Sequence, residues 1–582
     1  MTRSSERGAA ALPARRPLAV VLVLALLALA PFLAKPWFTD DPLVLRSAEA
    51  VLADPLRPYA ATTNWFGETR ALADTTFNPP LLAYVLAPVV AAFGASEVAL
   101  HTVLLAPALL ALAATWRLAR RWCTRPALAA VLLLASPAFL VSATSVMPDV
   151  TFVAALLWAL ERWIVADELE SAGARSTGAR LTACACALVA ALTKHFGLLA
   201  LPLCALATLA HASTARTDAG GRTPRDLGAP FAARVGATRL RALAWLALPL
   251  VGLALVEAWN AHAYGEALLL RAAREDRAIR ATLVEPAWMR GLAALAFLGG
   301  SAAPLAFVAP WMLGRARLVA AVGGAVLAGL LLAFVPLEAH AHFDPGAGVG
   351  VRVQAALWIA VAAGALALAA RAIARPRDGA DVLLGAWVLL VAGFATFVNW
   401  GVNARTLLPL APAVAVLAVR ALDERSAVGT MRAGRSGLRV AVGAALALAL
   451  LVALGELELA RSQRDHAVEL TARAQREGRA AFVQGHWGFQ RYAESAGATS
   501  LERNGAPPPP GSAELVPARN TGVWLPPPER IAAVDRVTHA LHLPLTTFGW
   551  EAGASFHAHT MGLLPFAWNR GAPDEVAYVV TR

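Results

Sequence analysis

Apolar residues in this chain of 582 residues gather into long uninterrupted runs. Those at 17–34, 98–115, 242–259 and 355–370 carry few or no charges. A helix needs roughly 20 apolar residues to cross a hydrocarbon layer about 30 Å thick. Lipid offers the backbone no hydrogen-bond partner, so runs of this length predict membrane-crossing helices. By this criterion about thirteen crossings are predicted, near 17–35, 97–117, 126–144, 149–165, 180–194, 196–211, 241–262, 290–312, 317–337, 352–373, 381–398, 404–420 and 437–456. The run 79–93 stands apart, because it is short and opens on two prolines.

Charge decides whether 79–93 crosses. If it does not, the loops holding Arg117/Arg120/Arg121/Arg125, Arg216/Arg222/Arg225/Arg234/Arg239, Arg371/Arg375/Arg377 and Arg420/Arg425/Arg432/Arg435 share one side with the basic N-terminus. The opposite loops near 145–148, 338–351 and 399–403 contain no Lys or Arg. Cytoplasmic loops are enriched in these cations, so 79–93 is expected to be a juxtamembrane or re-entrant helix on the outer face. The expected organisation is a cytoplasmic N-terminus (1–16), a transmembrane domain (17–457) with a first outer loop at 36–96, and an extracytoplasmic C-terminal domain (458–582). The N-terminal run is longer than a signal-peptide core, and Pro31 follows its candidate cleavage site, so an uncleaved first helix is expected. The C-terminal region has proline runs, strand-like stretches at 480–483 and 575–580, and a helix-like pattern over 530–541. This texture predicts a small α/β domain.

The net charge of +12 does not indicate nucleic acid. Only Lys35 and Lys194 are lysines, and the arginines sit in short loops between apolar runs, where they set topology. Hydrophobic residues make up 58% of the chain and charged residues 15%, against roughly 45–50% and 25% for soluble domains. The four cysteines lie in or beside apolar runs and imply no disulfide framework. Cys184-x-Cys186 has no second pair at zinc-ligand spacing.

Candidate chemistry concentrates in the first outer loop. Asp40 and Asp41 lie at the predicted membrane boundary, where an acidic pair is costly unless solvated, paired or used. Asp41 also suits the start of a helix over 43–53, where a carboxylate complements the dipole. A carboxylate in a partly dry cleft can serve as general base.

The order of motifs carries a resemblance. After the acidic pair come a helix, Asn78-Pro79-Pro80 leading an apolar stretch, and Gly94-Ala-Ser-Glu97 opening a helix that ends in Arg117-Leu-Ala-Arg-Arg121. Then follow Ser136-Pro137, Pro148-Asp149, Leu192-Thr-Lys-His-Phe-Gly197 and Asn403-Ala-Arg405-Thr-Leu-Leu-Pro409. Over about residues 17–420 this order resembles the GT-C glycosyltransferases, in particular the family 39-like protein O-mannosyltransferases and lipid A aminoarabinose transferases. The resemblance implies a polytopic α-helical membrane protein of GT-C type, with juxtamembrane helices in the first outer loop and a C-terminal extracytoplasmic domain. It implies an inverting enzyme of the bacterial inner membrane that passes a sugar from a polyprenyl-phosphate donor to a lipid, glycan or protein acceptor at the outer face. The carried-over catalytic residue is Asp40, with Asp41 able to trade roles with it. This chain has Asn78 where relatives carry His or Lys.

A lipid-phosphate leaving group needs interfacial cations. Arg405, Lys194 and Arg352 are the candidates, with Arg271, Arg274, Arg277 and Arg280 weaker ones. Asp149, Asn78 and Glu68 are candidate acceptor contacts. No cofactor follows with certainty from the residues, and a divalent metal is left open because Glu338, His340, His342 and Asp344 have spacing suited to one. The aromatic stretch Gly485–Tyr492 is expected to pack a core in preference to contacting a sugar. A transporter or flippase is the alternative class, and its ionisable residues are expected at mid-membrane. A non-catalytic envelope assembly protein is the third reading.

Overall fold

The computed structural model describes residues 15–76, 78–217, 237–283, 286–335, 348–427, 435–569 and 573–582. Among the described residues each predicted apolar segment lies mostly on helix, but thirteen crossings are not confirmed. Among the described residues seven helices are long and apolar enough to span a membrane, or up to nine if each of two bent pairs is one span. Pro126–Leu134 meets Pro137–Ala143 at 66°, and Ala287–Ser301 meets Pro304–Met312 at 73°. A proline opens each second half, where its ring and missing N–H end the preceding helix. The helices Arg16–Phe32, Thr177–Thr193 and His195–Ala210 are apolar but shorter.

Close packing in the bundle uses small residues, as expected where lipid supplies no hydrophobic drive between helices. A side chain at Gly299 would collide with the Trp358 carbonyl of helix Gly348–Ala374. At one end of the bundle the topology-setting arginines are paired with acids. Arg420 binds Asp378 and Asp381, Arg125 binds Asp423, and Arg121 binds Glu161 and Glu168.

The first loop forms helix Asp41–Ala53, a hairpin of strands Thr62–Trp65 and Glu68–Ala71, and helix Leu81–Phe93. Gly94, at φ 62°, terminates the last of these in a conformation that suits a residue without Cβ. The two helices share a core of Leu45, Ala48, Val51, Leu82 and Leu86, continued by Leu100 and Leu104 of helix Glu97–Trp122. The 79–93 run is thus a short helix packed against the first loop.

One helix, Arg435–Arg476, runs unbroken through the expected boundary at 457/458. Its far end packs Ala467, Leu470 and Ala474 against a five-stranded sheet. The sheet order is Thr499–Ser500, Ala481–Val483, Ala513–Pro517, Asp574–Thr581, Ile531–His539. Pairing is parallel among the first three strands and antiparallel for the last two. The strands expected at 480–483 and 575–580 are present; the helix expected over 530–541 is instead the edge strand. The spacing of Ile531, Val534 and Val537 mimics a helix face, but pairing with Asp574–Thr581 prevails, setting Val534 opposite Val579 and Val537 opposite Val576.

The residues around 545–568 pack on the helical bundle. Phe566 meets Trp358 edge-on at 5.1 Å, and the Trp568 N–H donates to Gln354 Oε1 at 2.8 Å.

Candidate active site

Arg405 begins the span Ala404–Ala427, at the opposite end from Arg420. Asn403 caps that helix start, its Oδ1 accepting from the Thr406 N–H at 2.7 Å. Around Arg405 four segments distant in sequence converge. Arg405 Nη2 donates to Asp40 Oδ2 at 3.0 Å, and its Nη1 lies 4.0 Å from Asp149 Oδ2. Asp149 Oδ1 in turn accepts from Lys194 Nζ at 2.7 Å. The result is a chain of alternating charge, Asp40–Arg405–Asp149–Lys194. Lys194 also lies 5.7 Å from the centre of the Phe152 ring.

The two adjacent aspartates have different environments. Asp40 occupies the position before helix Asp41–Ala53, its carbonyl accepting from the Leu43 N–H at 3.0 Å while its carboxylate makes no cap bond to the first turn, and its side chain is 32% exposed. Asp41 is fully buried. Its Oδ2 accepts from the Phe38 N–H at 3.0 Å and its Oδ1 from the Val146 N–H at 2.9 Å. Asp41 thereby ties the entry to its own helix to the turn before Pro148–Ser171. Burial pushes its pKa up to about 7, opposed by nearby Lys35 and the two N–H donors.

Beneath the pair lies a buried set of charges. Lys35 Nζ donates to Glu456 Oε1 at 2.6 Å and to Ser145 Oγ at 3.1 Å. Glu456 Oε2 lies 3.4 Å from His557 Nε2. Burial lowers the pKa of the His557 imidazole, with the neighbouring Arg405 adding to the effect and Glu456 and Asp40 opposing it. Sequence reasoning missed this trio. One signal was available, since Lys35 is one of two lysines in the chain and sits at a hydrocarbon boundary. Glu456 reads only as the end of an apolar run, and His557 lies in an irregular segment.

The aromatic stretch after Gly485 lines the same region. His486 contacts Trp65, Phe66 and Trp487 with ring centres 4.6–4.8 Å apart. Burial pushes its pKa down to about 4, partly opposed by Asp40. The Trp37 N–H donates to Tyr492 Oη at 2.8 Å, and a side chain at Gly488 would run into the Trp37 carbonyl. Helix Trp487–Ser495 therefore buttresses the segment leading to Asp40. Thr39, Phe66 and Trp487 all have positive φ, at 45°, 60° and 69°. Such conformations cost on the order of 1–3 kcal/mol each and persist where surrounding packing enforces them.

Other sequence candidates lie elsewhere. Arg352 donates to the carbonyls of Leu332 and Val335 at the end of helix Arg315–Leu332. Glu68 pairs with Arg70 on the exposed hairpin. The Asn78 carbonyl accepts from Tyr59 Oη at 2.9 Å. Arg271 pairs with Asp74, and Arg274 with Glu266. Glu338, His340, His342 and Asp344 lie outside the described residues. Among the described residues no group of three or more His, Cys, Asp or Glu is arranged to hold a metal ion.

No protein-family model matches the chain, and no curated protein matches it. Similar solved structures include ArnT from Cupriavidus metallidurans bound to undecaprenyl phosphate, at 17% identity and a TM-score of 0.39, covering 88% of this chain and 94% of that one. The archaeal oligosaccharyltransferase AglB from Archaeoglobus fulgidus, in complex with an inhibitory peptide and a dolichol-phosphate, is 12% identical with a TM-score of 0.43, covering 84% of this chain and 64% of that one. The Archaeoglobus fulgidus oligosaccharyltransferase in complex with Zn and sulfate is 14% identical with a TM-score of 0.45, covering 84% and 62%.

Proposed function

We propose that this chain is a multi-pass membrane glycosyltransferase of the bacterial inner membrane. It moves a sugar from a polyprenyl-phosphate donor to a lipid, glycan or protein acceptor at the outer face, with inversion. The observation that carries the proposal is the alternating chain Asp40–Arg405–Asp149–Lys194, which sets two carboxylates and two cations at one end of an apolar bundle. Transfer of this kind needs both: cations for the phosphate that departs and a carboxylate for the hydroxyl that attacks.

In the proposed reaction the acceptor oxygen attacks the anomeric carbon of the sugar. The bond from that carbon to the phosphate oxygen breaks, and its electron pair leaves with the lipid phosphate. Arg405 and Lys194 stabilise the charge that develops there. Asp40 orients the acceptor hydroxyl and takes up its proton. Its partly exposed side chain suits contact with an acceptor, whereas both oxygens of Asp41 are engaged by backbone donors. When Arg405 turns to the incoming phosphate, it releases Asp40, so donor binding frees the base. Asp149 keeps Lys194 and Arg405 side by side.

The test compares intact masses of envelope lipids, glycans and secreted proteins from cells with the wild-type chain, no chain, or Asp40→Asn. The expected result is one class that carries an added sugar mass only with the wild type. In purified full-length protein, Arg405→Ala should weaken binding of undecaprenyl phosphate about tenfold or more, while Asp40→Asn retains it. An unchanged mass profile across all three strains would overturn the proposal.

A further inference from the structure

The segment that carries Arg405 is held by a strap from the far end of the chain. The Val402 N–H donates to His559 Nδ1 at 3.0 Å. The His559 N–H donates to the Val402 carbonyl at 2.8 Å, and the Ala404 N–H to the Phe556 carbonyl at 3.1 Å. Residues 556–559 thus pair with 402–404 almost as a strand, ending one residue before Arg405. Val402, Ala404, Phe556 and His559 are all buried.

Two of these contacts are made by backbone atoms that any residue would supply. The third depends on a side chain. His559 Nδ1 accepts a hydrogen bond from the Val402 amide, which leaves the ring's own proton on Nε2. Remove that ring, and the Val402 N–H is buried without the acceptor it has here, which structures rarely tolerate. The segment must then shift, and Arg405, in the first turn of its helix, lies only three residues on. Around this point Arg290 holds the Thr396 and Trp400 carbonyls at 2.8 Å each, and Asp276 accepts from the Trp400 N–H at 2.7 Å. Those anchors lie further from Arg405. The final approach to the guanidinium is set by the strap.

We infer that His559 is a positioning residue for the donor-phosphate site: through Val402 it holds Arg405 at the height where a lipid phosphate meets it. The C-terminal region is then part of the donor site and not a separate appendage. This inference rests on the reading of Arg405 as a phosphate ligand.

The experiment uses the full-length chain in nanodiscs. It measures the affinity for undecaprenyl phosphate and for the uncharged alcohol undecaprenol in wild type, Arg405→Ala, His559→Ala, His559→Asn and His559→Gln. The ratio of the two affinities reports the phosphate contact, which a general loss of packing does not change. His559→Ala should reduce the ratio about tenfold. His559→Asn places an amide oxygen where Nδ1 sits and should restore the ratio to within about threefold of wild type. His559→Gln places its oxygen further out and should behave as the alanine variant. If His559→Ala does not fold, the Asn and Gln variants decide. Equal ratios for Asn and Gln, or a wild-type ratio in His559→Ala, would overturn the role of His559. If Arg405→Ala itself leaves the ratio unchanged, the phosphate-site reading fails instead, and the two failures are told apart.

Discussion

Replacing the two adjacent aspartates one at a time separates a group that meets substrate from one that holds the site together. Asp41→Asn keeps one acceptor oxygen but turns an NH2 towards a second backbone N–H, either that of Phe38 or that of Val146. A buried donor left without a partner costs about 1–3 kcal/mol. Asp41→Ala removes both acceptors, for about 2–6 kcal/mol on the same basis, partly offset because a buried carboxyl is also removed. Asp40→Asn weakens one ion pair with Arg405 in a side chain 32% exposed, so its stability cost after solvent screening is about 0–1 kcal/mol. In thermal unfolding of the purified chain, followed by tryptophan fluorescence, Asp41→Ala should melt several degrees below wild type and Asp40→Asn close to it. In the transfer assay the order reverses at a temperature where all variants are folded. Asp40→Asn should lose a factor of about 10²–10⁴, the usual contribution of a positioned general base. Asp41→Asn should retain much of its turnover. A fully stable Asp41→Ala that is inactive, beside an active Asp40→Asn, would refute the assignment.

The buried pair Lys35–Glu456 should behave as a unit. Glu456→Gln strands an ammonium with no exposed surface and should cost about 3–5 kcal/mol, whereas Lys35→Met with Glu456→Leu should recover most of it in the same melting assay. Gly488→Ala should lower the melting point and turnover together, because the added methyl displaces the Trp37 carbonyl beside the Asp40 segment. For His486 the native pKa near 4 lies below the ordinary 6.5. The unfolded chain therefore binds the extra proton, and this contribution is present above about pH 6.5 and lost as pH falls towards 4. It is worth on the order of 3 kcal/mol, so His486→Phe should flatten the acid side of the stability profile. Asp41 acts with opposite sign: its native pKa near 7 is above the ordinary value, so its contribution is full at acid pH and is lost as pH rises from about 4 to 7. Asp41→Asn should remove that decline.

How much of this was legible in the sequence depends on how far apart the causes lie. Helix positions follow from apolar runs read within a window of about 20 residues, so among the described residues each predicted segment lies mostly on helix; the bends before Pro137 and Pro304 are local too, but whether a bent pair is one crossing is not. Strand Ile531–His539 was misread because its local spacing suits a helix, and only its partner some forty residues away makes it a strand. The site lies at the far extreme. Arg405 and Asp40 are 365 residues apart, and Lys35 and Glu456 are 421. Each half of these pairs is visible as a charge at a membrane boundary, and charge count alone does not say which meets which. The aspartates show the limit most sharply. Successive residues at a helix start point about 100° apart, so one of two neighbours turns inward while the other faces the cleft. Which one turns is decided by where the Val146 amide lies, 105 residues later. Chemistry that depends on a choice between adjacent carboxylates is therefore written in the packing of the turn before Pro148, not in the pair itself.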